Sequence, residues 1–379
     1  MKLTILKEHL NESVQHVLKA ISGKTTIPIL NGLKIEANAN GVTITGSDTD
    51  ISIQSFIPNE LGGQVVVSLQ RPGNVVLPAK FFSEMIRKLP SSQIEIEVKE
   101  QYHTLIRSGS AEIQLVGLDP DEYPLLTTIE ESKVLNVSSD LLKSMIRQTV
   151  FAVSTNESTP ILTGVLWTLA NGKLKFTACD RHRLATREVQ IDNQELQFNN
   201  IVVAGKTLIE LNKLLPDPNT IVSIVVSDNQ ILLKMDRVLF YSRILDGTYP
   251  DTAKLIPNTH QTELAIGTKM LSDAIDRAYL LSREDKTNIV RLIMNEDNSV
   301  EISSSSTELG KVTEQIETVR LEGERLKISF NSKYMLDALK AVDCETIKIA
   351  FTGSMQPIIL KPEDGTDILQ LILPYRTTQ

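Results

Sequence analysis

Three times along these 379 residues, at nearly equal intervals, a basic–acidic–basic triplet recurs inside a run of helical periodicity. Lys80, Glu84 and Arg87 form the first copy, Lys206, Glu210 and Lys213 the second, and Lys333, Asp337 and Lys340 the third. Spacings of i, i+4 and i+7 set each triplet on one helical face. Such triplets are common by chance, so the flanks decide. Leu10/Leu142, Ser22/Ser154, Pro28/Pro160, Leu30/Leu162, Gly32/Gly164, Thr45/Thr177 and Asp48/Asp180 share one offset. Lys80/Lys206, Glu84/Glu210, Pro90/Pro216, Tyr123/Tyr249 and Pro124/Pro250 share a second. The third copy is fainter but in phase, at Ile44/Ile302, Thr49/Thr307, Lys80/Lys333, Phe81/Tyr334 and Arg87/Lys340. A period this long means three whole domains in tandem, not a solenoid of small units. Boundaries after DEYP at 121–124 and DGTYP at 246–250 divide the chain into 1–128, 129–256 and 257–379.

Six segments carry apolar residues at helical spacing. They are marked by Leu10, Val14, Val17, Leu18 and Ile21; by Phe82, Met85, Ile86 and Leu89, stopping at Pro90; and by Leu142, Met145, Ile146, Thr149 and Val150. The others are marked by Leu208, Leu211 and Leu215 before Pro216; by Leu271, Ala274, Ile275 and Ala278; and by Met335, Ala338, Leu339 and Val342. Between them lie alternating or β-branched runs, in the first third at 33–37, 42–46, 51–57, 64–69, 94–98, 103–107 and 111–116. Turn residues punctuate these runs as between strands. Helix, strands, helix, strands in each third is an α+β pattern.

Apolar residues make up 41% and charged residues 23%, ordinary for a soluble globular protein, and the scarce aromatics leave the cores to Ile, Leu and Val. Cys179 and Cys344 are too few and too far apart for a disulfide framework or zinc cluster, so a reducing cytoplasm is expected. MKLTILKEHL has no apolar signal core and no run reaches about 18 apolar residues, so neither secretion nor a membrane partner is expected.

A net charge of −8 argues against a nucleic-acid partner until its distribution is examined. The helical windows 7–24, 79–90, 138–149, 204–215, 268–283 and 331–342 hold 15 Lys/Arg and 8 Asp/Glu, against 39 and 47 in the whole chain. The helices are therefore basic and everything else is acidic. Helix propensity alone would favour Lys and Arg there. The other reading is a cationic surface that binds phosphate without reading bases, inside an acidic shell that repels DNA elsewhere.

Asp180, His182 and Arg183 form the most enzyme-like cluster, and an Asp–His pair could serve acid–base catalysis in a hydrolase built by triplication. The alternative is a turn. Asp48 repeats as Asp180 and becomes Ser306, a swap that side-chain-to-backbone hydrogen bonding tolerates and metal ligation does not. DEYP and DGTYP read as turns and the lone Trp167 as core. No GxxxxGK[ST], GxGxxG or HExxH occurs, so no nucleotide loop, cofactor, metal or catalytic residue is expected.

TIPILNGLKI at 26–35, TPILTGVLW at 159–167, CDRHRLAT at 179–186, LDGTYPD at 245–251 and LQLILPYR at 369–376 resemble the bacterial sliding clamps, the β subunits that act as polymerase processivity factors. The resemblance spans essentially the whole chain. It implies three similar domains per chain and two chains closing head to tail into a ring around duplex DNA, with helices lining the hole and sheets outside. It implies a homodimer interface of Ile113 and Leu115 against Leu280 and Leu281 of a second copy. It implies a cleft for short peptides of the replicative polymerase, the clamp loader and other clients. That cleft comprises Leu162, Cys179, His182, Arg183, Leu184, Pro250, Leu255, Leu371, Ile372, Leu373, Pro374, Tyr375 and Arg376. Together with the basic helices it assigns DNA contact to Lys24, Lys80, Arg87, Arg147, Lys206, Lys213, Lys333 and Lys340. Cys179 stands where the family often has Thr, Arg181 where it has a small residue, and Lys24 and Lys254 where it often has Arg.

Overall fold

In a computed structural model, residues 1–23, 25–126, 129, 134–284, 286–365 and 367–376 are described. All six helices form: α1 (Lys7–Val17), α2 (Ala79–Lys88), α3 (Ser139–Arg147), α4 (Gly205–Leu214), α5 (Thr268–Glu284) and α6 (Ser332–Ala341). Helix α2 ends before the expected Pro90, because a residue preceding proline is pushed out of the helical region; Leu89 is extended at φ −62°, ψ 139°. The seven strands expected in the first third are present. That at 64–69 is divided into Gln64–Val65 and Val67–Arg71. Lys2–Leu6, Glu60–Leu61 and Gly73–Pro78 are strands that periodicity missed; the first and last run directly into helices, and the second has only two residues. Among the described residues, no helix is long and apolar enough to cross a membrane.

The backbone forms two compact units, and neither coincides with a sequence repeat. Unit one comprises 1–140 with 213–244, and unit two 141–212 with 245–379. In unit one an eight-stranded antiparallel sheet joins first-repeat strands to central-repeat strands. Ile51–Pro58 pairs with Val238–Arg243, Ser52 opposite Tyr241. In unit two a nine-stranded sheet joins central-repeat strands to third-repeat strands, with Arg183–Gln190 paired to Ile368–Ile372 and Leu184 opposite Leu371. Each unit has a smaller sheet. One is five-stranded and ends at Ala111–Val116; the other is four-stranded and ends at Gly310–Glu317.

Helices cover sheets as their apolar stripes require. In unit one α1 packs on α2 and on strands Gly41–Ser47 and Ile51–Pro58, burying Leu10, Val14 and Val17. In unit two α5 packs on α6 and on strands Ile289–Met294, Ser299–Ser306 and Gly310–Glu317, with Leu271, Ile275, Leu336 and Leu339 in one core. Trp167 is wholly buried and stacked on Phe176 with centroids 4.3 Å apart.

The repeat also governs a buried tether. The Tyr123 hydroxyl donates to the Gly32 carbonyl at 3.4 Å and that of Tyr249 to Gly164 at 3.5 Å; both phenols are buried. The Cys179 N–H donates to the Tyr249 oxygen at 3.0 Å, and the backbone of Ser47, the equivalent position, bonds Tyr123. The two tyrosine motifs are thus more than turns: they pin the segments after Tyr123 and Tyr249 to the sheets. Burial raises both phenols above their ordinary value. Unfolded tyrosine ionises near pH 10 while the folded form stays protonated, so the unfolded state releases its protons first. Stability should therefore fall as pH rises above about 10, and Tyr249→Phe should flatten that decline. At neutral pH the same variant should lose about 1–3 kcal/mol in urea titration, because it strands the buried Cys179 N–H.

Candidate functional site

The Asp180 turn carries three of the residues expected in a cleft, His182, Arg183 and Leu184, and its geometry is set locally. Asp180 Oδ1 accepts from the backbone N–H groups of His182 and Arg183, both at 3.0 Å. Asp48 Oδ1 does the same for Asp50 and Ile51, at 3.1 and 3.0 Å, and Ser306 Oγ for Glu308 and Leu309, both at 3.3 Å. The swap that pointed to a turn therefore repeats the same side-chain-to-backbone bonds in all three copies. Thr49 and Arg181 occupy equivalent left-handed positions, at φ +85° and +76°.

Asp180 has little left for acid–base chemistry. Its Oδ2 accepts from Arg183 Nε at 3.0 Å, and Arg183 Nη1 donates to Asp337 Oδ2 at 2.7 Å. The guanidinium lies 4.4 Å from the Tyr334 ring centroid and 5.5 Å from that of Phe151, and only 10% of the Arg183 side chain is exposed. The His182 ring stacks on Tyr334 instead of meeting Asp180, with centroids 6.3 Å apart. Removing one member of so covered an ion pair typically costs about 3–5 kcal/mol. This is a scaffold for the 180–184 turn.

The acidic member of the third triplet belongs to that scaffold, so the triplets are not interchangeable. Asp337 faces Arg183, whereas Glu84 is exposed; Tyr334 stacks on the turn, whereas its counterpart Phe81 is exposed. Tyr249, Tyr334 and Asp337 entered the sequence reading only as repeat positions and Phe151 not at all; none was expected at the site. The repeat pairs Tyr123/Tyr249 and Phe81/Tyr334 were the available signals.

All thirteen residues expected in a peptide cleft lie in unit two. Leu162, Cys179, Leu184 and Leu371 are buried together with Tyr249 and Leu369 in a small apolar cluster, and Ile372 is buried in the larger core beside α5 and α6. Burial pushes the Cys179 thiol pKa up. The other expected residues are more open: Leu255 is 53%, Leu373 40% and Tyr375 52% exposed, with His182, Pro250 and Arg376 also exposed and Arg183 and Pro374 half-buried. The tail is anchored at two points. The Leu373 N–H donates to the His182 carbonyl at 2.8 Å, and the Tyr375 N–H to Ser329 at 2.6 Å. Arg181, set beside the turn, donates from Nη2 to Thr159 Oγ1 at 2.8 Å.

Of the expected phosphate-binding residues, Lys80, Arg87, Arg147, Lys206, Lys213, Lys333 and Lys340 are exposed on their helices; Lys24 lies outside the described residues. Arg147 is committed to Asp343 through a bidentate pair, with Nη1 3.1 Å from Oδ1, which holds the Asp343 carboxyl below its ordinary range. Ile113 and Leu115 are half-exposed on the edge strand of unit one. On α5 of unit two, Leu280 is 54% exposed and Leu281 half-buried. Among the described residues, no three His, Cys, Asp or Glu side chains are grouped as metal ligands.

Three family models account for nearly the whole chain. That of the DNA polymerase III beta subunit, N-terminal domain, matches residues 1–127, its central domain 136–251 and its C-terminal domain 253–376. The chain is 53% identical over 377 residues to a protein named Beta sliding clamp from Bacillus subtilis (strain 168), covering all of both chains. It is 48% identical over 379 residues to one of the same name from Halalkalibacterium halodurans, again over both full lengths. Its structure is similar to a crystal structure titled DNA polymerase sliding clamp from Bacillus subtilis, at a TM-score of 0.98, 52% identity and full coverage of both chains. It is also similar to a DNA polymerase III beta subunit structure from Thermotoga maritima, at a TM-score of 0.89, 26% identity and full coverage of both.

Proposed function

Because the chain belongs to the DNA polymerase III beta subunit family, the sliding clamps, we propose that it encircles duplex DNA and tethers the replicative polymerase and other DNA-acting enzymes, with no catalysis of its own. The observation that carries this reading is the placement of charge. In a chain of net charge −8, both cations of every triplet stand exposed on a helix whose apolar side is buried. Cations so placed favour phosphate without selecting sequence. In the ring we propose, segments 1–128, 129–256 and 257–379 are the three domains, their helices line the hole, and Lys24, Lys80, Arg87, Arg147, Lys206, Lys213, Lys333 and Lys340 face the backbone. With no phosphate-binding nucleotide loop in the sequence, closure on DNA falls to a separate loading ATPase.

The ring closes, in this reading, by two copies meeting head to tail. Support comes from two of the terminal strands: Ala111–Val116 and Gly310–Glu317 each pair on one side only among the described residues. Such edges invite pairing with another chain. Ile113 and Leu115 would then meet Leu280 and Leu281 of the second copy. Sedimentation at micromolar concentration should return twice the chain mass, and Ile113→Arg with Leu280→Arg should return the chain mass. A wild-type chain that sediments as a monomer sinks the ring.

The cleft above Leu162, Cys179, Leu184 and Leu371 is the proposed dock for short client peptides in the cytoplasm. What supports this reading is that Leu255, Leu373 and Tyr375 are exposed apolar side chains while Leu162, Cys179, Leu184 and Leu371 are packed, as hydrophobic peptide anchors need; His182, Arg183, Pro250, Ile372, Pro374 and Arg376 would complete the cleft. The Arg183–Asp337 pair keeps the turn at 180–184 in place beneath it.

A further inference from the structure

We infer that the seam between two copies of this chain is sealed by Leu309 of one copy packed against Val116 and Phe81 of the second. The inference rests on the reading above, that two copies close head to tail, and adds the register at which their edge strands meet.

The chain supplies its own template. Ile51, Arg183 and Leu309 are equivalent residues, because each gives its backbone N–H to the acceptor of its repeat's turn, Asp48, Asp180 or Ser306. Two of them already sit at seams: Ile51 pairs with Ser242 and Arg183 with Ile372. Both seams hold the next rung by the same bond, Arg243 N–H to the Asp50 carbonyl at 2.9 Å and Leu373 N–H to that of His182 at 2.8 Å. Leu309 leads into strand Gly310–Glu317, a sheet edge. The first-repeat position equivalent to Ser242 is Val116, as far before Tyr123 as Ser242 is before Tyr249. Carried to the open edges, the template sets Leu309 opposite Val116 of a second copy.

Burial checks that register independently. It places Val312 opposite Ile113 and Glu314 opposite Ala111, all four half-buried, and Thr313 opposite Glu112, both exposed. A slip by one residue would set half-buried side chains against exposed ones along the contact.

A helix completes the contact. Within unit two, the Arg183 guanidinium lies against the Tyr334 ring of α6 and pairs with Asp337. Phe81 and Glu84 of α2 are the repeat counterparts of Tyr334 and Asp337, so they face Leu309 of the other copy. The ion pair of the intrachain seam thus becomes an apolar contact at this one. Leu309 is 61%, Val116 65% and Phe81 56% exposed in the single chain. Three open apolar side chains are thereby covered together.

In a Cys179→Ser, Cys344→Ser background, Val116→Cys with Leu309→Cys should oxidise readily to a covalent dimer. Gln114→Cys with Leu309→Cys, on the same face but diagonal, should do so about tenfold more slowly, since diagonal pairs lie about 7–8 Å apart. Leu309→Ser should raise the dimer dissociation constant about tenfold or more, at low and high salt alike. Leu309→Arg, which restores the Arg183 pattern opposite Glu84, should dimerise as wild type does at low salt and severalfold more weakly as salt rises. A chain that sediments as a dimer but cross-links no faster through 116 than through 114 keeps the ring and overturns this register. An unchanged constant in Leu309→Ser, or a Leu309→Arg dimer indifferent to salt, overturns the apolar seal. A wild-type chain that sediments as a monomer removes both the ring and this seam.

Discussion

Once loaded onto covalently closed circular duplex, the chain should survive a high-salt gel-filtration step, whereas on linear duplex of the same length it should run off the ends. The contrast follows from how a closed ring holds its substrate. A protein held by six phosphate contacts loses about a thousandfold in affinity between roughly 50 and 200 mM salt. A ring around a closed circle is held by connectivity, which salt does not screen. Exposed Lys80, Lys206 and Lys333 would then set how easily the duplex passes, not whether it stays. Equal retention on the two forms, or equal loss of both on raising salt, would show that phosphate contacts alone do the holding.

Deleting residues 374–379 should abolish polymerase binding while leaving the sedimentation mass unchanged. Strand Ile368–Ile372 keeps its pairing to Arg183–Gln190 and Ile358–Pro362 in such a variant, and Leu373 keeps its bond to His182. What goes is Pro374, half-exposed Tyr375 and its bond to Ser329, and Arg376. Losing anchors of this kind typically costs about 2–4 kcal/mol, roughly a 30- to 1000-fold loss of affinity. Dissociation into monomers on truncation would place the dimer contact at the tail and refute the edge-strand assignment.

Local chemistry was legible in the sequence and distant pairing was not. The Asp48/Asp180/Ser306 turn could be read because donors and acceptor lie within three residues of one another. The six helices could be read because each carries its own apolar stripe. The Tyr249 tether could not, since its partner Gly164 is 85 positions away and nothing near Tyr249 names it. Nor could the Arg183–Asp337 pair, which spans 154 positions and takes a member from the triplet that otherwise read as a solvent-facing pattern. The family resemblance named thirteen candidate cleft residues without distinguishing covered side chains from exposed ones. Burial does so, with Leu371 at 3% and Leu373 at 40%.

The pairing of Ile51–Pro58 with Val238–Arg243 and of Arg183–Gln190 with Ile368–Ile372 has a consequence for the middle third expressed by itself. Such a polypeptide would carry two raw seams, each missing a strand that its own coding region does not supply. Bare seams of this kind invite copies to cover one another.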